Sequence, residues 1–130
     1  MEKKKTLPRP TDAELAILRV LWERGPSTVR EVWEQLGHAR SVGYTTVLKL
    51  MQIMADKGLV SRDQRRQTHV YSARNNEEQT QRQLLRDLLE RAFGGSAQKL
   101  VLRALDAKKV SREELATIRS FLDQLDGGSK

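Results

Sequence analysis

The sequence predicts a mainly α-helical protein that carries one small β-hairpin. Three observations predict this fold class: apolar residues recur at helical spacing along most of the chain, two short segments near its middle alternate instead, and capping motifs and glycines mark the boundaries between them. The 130 residues suffice for one compact domain, or for a small domain joined to an assembly element.

Two short helices open the predicted fold. Thr11 and Glu14 have the spacing of a capping box, and the helix they begin ends before Pro26. Thr28 and Glu31 repeat that spacing at the start of the second helix. The apolar residues that predict their inner faces are Leu15, Leu18, Val20, Leu21 and Trp22 in the first helix and Val29, Val32, Trp33 and Leu36 in the second.

A third helix and a hairpin follow. The helix is predicted from Tyr44 to Lys57, with Gly58 as its C-cap. Its inward candidates keep an i, i+3, i+4, i+7 pattern and are Val47, Leu50, Met51 and Met54. Two strands are predicted at residues 59–62 and 69–72, separated by the polar turn 63–68. A hairpin of this size needs a helix to pack against.

The remainder of the chain is predicted to be helical. Asn76 can cap a fourth helix, Gly94 and Gly95 interrupt the chain, and a fifth helix follows them. Ser111 and Glu114 again have capping-box spacing and open a sixth. We therefore predict a domain at residues 7–75 and a helical domain at residues 76–126.

Positive charge is concentrated in the first part of the chain. The net charge is +7, and residues 1–75 carry 14 basic and 8 acidic side chains, against 10 and 9 in residues 76–130. A basic segment favours polyanionic partners, either nucleic acid or an anionic membrane surface. Residues 1–75 are thus the predicted polyanion-binding part.

The order of helix, short helix, longer helix and hairpin is that of a winged helix-turn-helix domain. In this arrangement the third helix enters the major groove of double-stranded DNA, and the hairpin, or wing, reaches the adjacent backbone or minor groove. Tyr44 has an alternative interpretation as a core residue with its hydroxyl at the surface. The residues predicted to contact DNA are Arg40, Ser41, Tyr44, Thr45, Thr46, Lys49, Arg62, Arg65 and Arg66.

The helices after residue 76 are predicted to form a dimer. Their leucine-rich faces are broad, and a second copy of the chain is the simplest partner for them. A dimer would match a palindromic operator, whereas the alternative is that these helices fold back onto the first domain. The predicted dimerisation residues are Leu84, Leu85, Leu88, Leu89, Phe93, Leu100, Val101, Leu105, Leu115, Ile118 and Leu122.

Several other functions are disfavoured by composition. The sequence lacks cysteine, which excludes disulfides and thiolate metal sites and fits a cytoplasmic location. We predict no metal, no cofactor and no enzymatic activity, and no apolar run is long enough for membrane insertion. Binding of other proteins through the winged helix, without DNA, is the alternative function. A third possible function is regulation in response to a small molecule.

Several segments resemble the penicillinase repressor family, the group of BlaI and MecI with copper-responsive CopY relatives. The similar segments span about residues 7–125 and include TDAEL at 11–15, VLW at 20–22, STVREV at 27–32, YTTV at 44–47, KGLV at 57–60, FGGS at 93–96, LVL at 100–102 and SREEL at 111–115. The resemblance implies a homodimeric repressor of palindromic operators, with Tyr44, Thr45, Thr46 and Lys49 at the DNA.

The resemblance also implies a membrane-bound sensor protease as a partner, whose signal leads to cleavage of the repressor. The best-known members carry an Asn-Phe cleavage bond after the Leu-Val-Leu stretch, where this chain has Arg103-Ala104. The copper-responsive members end in a cysteine cluster, which this chain lacks. This chain therefore lacks both the Asn-Phe cleavage bond and the copper-binding cysteines of these relatives, and the signal that induces it is left open.

Overall fold

The structure is a computed structural model that describes residues 9–37, 41–65 and 67–127. Within these residues it contains six helices and one two-stranded antiparallel sheet. In chain order the elements are α1 (Asp12–Arg24), α2 (Val29–Gly37), α3 (Tyr44–Lys57), β1 (Val60–Asp63), β2 (Val70–Ala73), α4 (Glu77–Phe93), α5 (Ala97–Ala107) and α6 (Arg112–Gly127).

The two capping boxes predicted near the start of the chain are both present. The Thr11 hydroxyl accepts from the Glu14 N–H, and the Glu14 carboxylate accepts from the Thr11 N–H. Thr28 and Glu31 make the same reciprocal pair, at 2.9 and 3.2 Å. Each pair satisfies backbone donors that a helix start leaves without intrahelical partners, so α1 and α2 begin where the sequence predicts.

The C-terminal end of α3 is fixed by a glycine. Gly58 has φ +86°, the left-handed conformation that side chains with a Cβ rarely adopt. The N–H groups of Gly58 and Leu59 donate to the carbonyls of Ala55 and Met54, which closes the helix with a Schellman motif. The predicted bounds of α3 are confirmed.

The hairpin lies one residue later in the chain than predicted. β1 pairs with β2 from Val60 opposite Ala73 to Asp63 opposite Val70. The predicted start of β1 at residue 59 is wrong because the N–H of Leu59 closes α3, although its carbonyl accepts from Arg74 at 3.0 Å. The observed β2, Val70–Ala73, likewise begins one residue after the predicted strand at 69–72.

A short third pairing extends the sheet and was missed from the sequence. Ser27 and Tyr71 exchange two backbone hydrogen bonds, of 3.0 and 2.8 Å, in an isolated antiparallel bridge. A single bridge residue leaves no alternating pattern in the sequence. It ties the segment between α1 and α2 to the centre of β2, and so holds the hairpin against the helices.

One hydrophobic core is shared by α1, α2, α3 and the sheet. Its largest fully buried side chains include Tyr71, Ile17 and Met51. Trp22 and Trp33, predicted as core residues, are partly buried against it, and their indole N–H groups each donate to a backbone carbonyl, of Asn75 and Val42, at 2.9 Å. The core members are Ile17, Leu18, Leu21, Val29, Val32, Leu36, Val47, Met51, Met54, Leu59, Val60 and Tyr71.

A partly buried ion pair joins the first turn of α1 to the last turn of α3. The Lys57 ammonium lies 2.7 Å from Oε1 of Glu14, whose residue is only 2% exposed. Burial raises the pKa of Glu14, but the hydrogen bond from Lys57, the bonds from Thr11 and the attraction of the Lys57 charge outweigh it. The pKa of Glu14 is therefore below its ordinary value of 4.5.

This pair predicts a pH-dependent stability. Because the pKa of Glu14 is lowered by folding, its contribution is present above pH 4.5 and is lost as the pH falls through the folded-state value. Replacing Lys57 by Met should lower the free energy of unfolding by about 1–2 kcal/mol at pH 7, less than for a fully buried pair because the Lys57 side chain is 34% exposed.

Urea denaturation of the full chain between pH 3 and 7 checks this prediction. The difference between wild type and Lys57→Met should be largest near pH 7 and should shrink as Glu14 becomes protonated. Arg19→Met, which removes an exposed cation from α1, serves as the control. Equal stability of wild type and Lys57→Met at pH 7 would contradict the role given to this pair.

Two of the helices after the hairpin, α4 and α6, begin at the polar residues predicted to cap them, and α5 begins at a polar cap that was not predicted. Asn76 and Gln79 exchange side-chain to backbone hydrogen bonds at the start of α4. Ser96 caps α5, and Ser111 accepts from the Glu114 N–H at the start of α6. The positive φ angles of Gly94 and Gly95 mark the turn between α4 and α5.

The chain divides into two compact units between Arg86 and Asp87, inside α4. The first unit contains the core described above, and the second contains the end of α4 with α5 and α6. The predicted boundary at residue 76 stays a prediction.

Candidate nucleic-acid interface

The outer face of α3 is polar and exposed. Val47, Met51 and Met54 point into the core, and the helical period places Thr45, Lys49 and Gln52 on the opposite side. All three are exposed, as is Thr46, and in the described part of the chain Lys49 forms no salt bridge. This face offers hydroxyl, amide and ammonium groups, which are the groups that bind base edges and phosphates.

Tyr44 lies at the first turn of α3 and is 41% exposed. Its ring packs edge to face against Trp33 of α2, with ring centroids 5.9 Å apart and an interplanar angle of 84°. The guanidinium of Arg30 lies 5.9 Å from the Trp33 centroid and 6.0 Å from the Tyr44 centroid. Tyr44 is therefore a surface residue with one side supported by α2, and the interpretation of it as a core residue is wrong.

Two wing arginines are held by neighbouring side chains. The Gln64 amide oxygen, oriented toward Arg62, accepts from Nε at 2.8 Å and from Nη2 at 2.9 Å. Arg65 makes a two-pronged pair with Asp63, of 3.1 Å from Nε and 3.0 Å from Nη2. The hydrogen bond to Asp63 and then its charge raise the pKa of Arg65. The Nη1 group of Arg65 is not used by this pair, so a phosphate could bind there without displacing Asp63.

A cleft of about 500 Å³ lies between the start of α2, the exposed side of α3 and the hairpin. None of the described residues that line it is acidic. Two arginines, Arg30 and Arg62, are among the lining residues, and this balance of charge favours an anionic partner. The polar and charged residues that line it include Thr28, Arg30, Tyr44, Gln52, Arg62 and His69.

Six of the predicted DNA-contacting residues lie at the cleft or are exposed on or just before α3. Tyr44 and Arg62 line the cleft, while Ser41, Thr45, Thr46 and Lys49 are exposed on α3 or just before it. Arg65 lies beyond the end of β1. Arg40 and Arg66 lie outside the described residues. Their contacts with DNA stay predictions.

Two residues of this surface were missed from the sequence. Gln52 lies one turn after Lys49, and an extension of the i, i+4 spacing from Tyr44 through residue 48 would have found it. Arg30 lies within the Thr28–Glu31 capping box, and only the packing of α2 against α3 brings it to the cleft. Nothing in its local sequence separates it from other surface arginines.

A second candidate surface lies on the C-terminal helices. No residue of α5 or α6 is buried within one chain, and the only buried residue of α4 is Thr80. Along α6, Phe121, Leu122 and Leu125 are 53–63% exposed. The predicted dimerisation residues are half-buried (Leu84, Leu89, Phe93, Leu100, Leu105, Leu115 and Ile118) or exposed (Leu85, Leu88, Val101 and Leu122).

Residues 9–37, 41–65 and 67–127 contain no group of three or more histidines and carboxylates placed to hold a metal. No helix in those ranges has the length and apolar character required to cross a bilayer.

Comparison with known proteins gives consistent matches along nearly the whole chain. Residues 10–124 match the family described as penicillinase repressor. "Transcriptional regulator BlaI" of Mycobacterium tuberculosis is 32% identical over 124 residues, which cover 94% of this chain and 88% of that protein. A "Penicillinase repressor" of Bacillus licheniformis is 22% identical over 120 residues, 92% of this chain and 94% of that one.

A solved structure supports the fold of the first unit. The solution structure of the DNA-binding domain of the repressor BlaI superposes with a TM-score of 0.50 at 23% identity. The match covers 57% of this chain and 90% of that domain. The prediction of a winged helix-turn-helix fold is confirmed.

Proposed function

This chain belongs to the penicillinase repressor family, and we propose that it represses transcription by binding a palindromic DNA operator as a homodimer. The family consists of transcriptional repressors and not of enzymes, as the sequence predicted. The observation that carries the proposal is the exposed polar face of α3 beside a cleft that has no acidic residue among its described lining residues.

The proposed mode of binding places α3 in the major groove. Thr45, Lys49 and Gln52 would face the base edges, since they share the side of α3 opposite the core. The hairpin would then lie over the neighbouring minor groove, with Arg62 and His69 toward the backbone. Backbone contacts of this kind position a protein, while the contacts from α3 select the sequence.

The homodimer is supported by the apolar C-terminal helices. Soluble proteins rarely leave a large contiguous apolar surface exposed, and here a whole helical unit buries none of its described side chains. A second copy would cover Leu122 and its neighbours with identical residues through a two-fold axis. Two wing domains related by that axis require two half-sites in opposite orientation, about one helical turn apart.

Release from DNA would need a different event from those familiar in the family. The Arg103-Ala104 bond lies inside α5, and Arg103 lies 3.7 Å from Asp106 on the same helix. Proteases generally bind extended, exposed segments. If a membrane sensor protease acts on this chain, we propose that it cuts a bond other than this one, or that α5 opens first.

Selection from a random duplex library with the full chain tests the proposed function. The selected sequences should contain an inverted repeat, and binding should weaken steeply with salt because bound lysine and arginine release counterions from the phosphates. No enrichment, together with affinity that is insensitive to salt, would favour the protein-interaction module instead.

A further inference from the structure

Arg30 occupies an unusual position for an exposed arginine. Its guanidinium lies over the rings of both Trp33 and Tyr44, at 5.9 and 6.0 Å from their centroids. Both distances are within the range of a cation–π contact. Its ion pair with Glu34 is long, at 3.8 Å, and both of those side chains are mostly exposed. The two rings and Glu34 therefore surround the guanidinium on the outer side of α2.

The two rings are themselves held in place. The indole N–H of Trp33 donates to the Val42 carbonyl at 2.9 Å, immediately before α3 begins. Tyr44 packs on Trp33 nearly at a right angle. Arg30 thus lies at the corner between α2 and α3, and since a cation–π contact uses no N–H donor, most N–H groups of its guanidinium stay available.

Arg30 also faces the cleft between α3 and the hairpin, with Arg62 among the other residues that line it. When a helix fills a major groove and a hairpin reaches the next minor groove, the strand that separates the two grooves passes between them. On the mode of binding proposed above, that strand runs through this cleft. The residues around it can then bind its phosphates.

We infer that Arg30 binds a phosphate of the DNA strand in this cleft, and that Tyr44 and Trp33 are positioning residues for it. This inference rests on the proposed function. It gives Tyr44 a role in holding Arg30 in addition to any contact of its own with DNA. It also adds a contact from α2 to those that α3 and the hairpin supply.

The first test compares Arg30→Gln with wild type on a selected duplex and on a random duplex, across a series of salt concentrations. The salt slope is the slope of a plot of log affinity against log salt concentration, and loss of one phosphate contact per chain should reduce it by roughly two for a dimer. Affinity should fall about ten-fold or more on both duplexes alike, since a phosphate contact carries no sequence information. Arg19→Gln removes an equal charge from the outer face of α1 and is the matched control.

A second test asks whether the aromatic ring of Tyr44 positions Arg30. Tyr44→Leu removes the aromatic support and should weaken binding more than Tyr44→Phe, which keeps the ring. If Tyr44 acts largely through Arg30, the double variant Arg30→Gln/Tyr44→Leu should bind about as well as Arg30→Gln alone. Arg30→Lys, which keeps the charge without the planar group, should fall between wild type and Arg30→Gln. Circular dichroism confirms that each variant is folded.

The outcomes separate this inference from the proposed function. A wild-type chain that binds no duplex would overturn the proposed function itself. If wild type binds and Arg30→Gln has the affinity and salt slope of Arg19→Gln, Arg30 touches no phosphate. A loss confined to the selected duplex would show that Arg30 reads a base, and fully additive effects of the two substitutions would remove the positioning role of Tyr44.

Discussion

If the chain forms the proposed dimer, replacing Leu122 by Glu should convert it into a monomer at micromolar concentration. Leu122 is 53% exposed on α6 beside Phe121 and Leu125, so in a symmetric dimer each substitution would bury a carboxylate against an apolar surface. Because the two wing domains would no longer be linked, affinity for the operator should fall by about 10²–10⁴. Size-exclusion chromatography with light scattering measures the first effect, and fluorescence anisotropy measures the second.

Ser120→Glu is the matched control for this variant. It adds the same charge to α6, but two residues away, on the opposite side of the helix from Leu122. It should leave both the oligomeric state and the affinity close to wild type. A Leu122→Glu chain that is still dimeric would place the dimer contact elsewhere, and a wild-type chain that is monomeric at micromolar concentration would remove the proposed dimer.

Replacing Thr45 and Lys49 together by alanine should abolish most of the discrimination between operator and random DNA. Both side chains lie on the outer face of α3, and each half-site should lose about 1–3 kcal/mol when its base contacts are removed. Since a dimer uses two copies of α3, operator affinity should fall by roughly a hundred-fold or more. Anisotropy titrations with selected and random duplexes measure both quantities.

The control for this pair is the double variant Arg19→Ala and Gln35→Ala. These two residues are exposed on α1 and α2, and the substitutions likewise remove one basic and one polar side chain. Operator affinity equal to wild type in Thr45→Ala/Lys49→Ala would show that α3 does not read the DNA. An equal loss on operator and random duplexes would show that it contacts only phosphates.

Local patterns were sufficient to predict the helices of the first unit. The pairs Thr11–Glu14 and Thr28–Glu31 fix two helix starts through bonds between residues three apart, and Gly58 fixes the end of α3 by its own backbone angles. Such signals are contained in a few neighbouring residues. The polar face of α3 follows from the same period that buries Val47 and Met51.

Features that depend on distant residues were not predictable in this way. The bridge between Ser27 and Tyr71 joins residues 44 positions apart, and the pair Glu14–Lys57 joins residues 43 positions apart. Arg30 becomes part of the interface only because α2 packs against the start of α3. The strand bounds differ by one residue for a local reason, since the N–H of Leu59 forms the closing bond of α3.

The central claim is that two chains together read two half-sites of one operator. Sedimentation velocity with a fluorescently labelled duplex tests it directly, by comparing the selected inverted repeat with a duplex in which one half-site has been scrambled. We predict a complex of two chains per intact duplex, formed at concentrations about a hundred-fold or more below those needed for the scrambled duplex. One chain per complex, or the same concentration dependence on both duplexes, would contradict it.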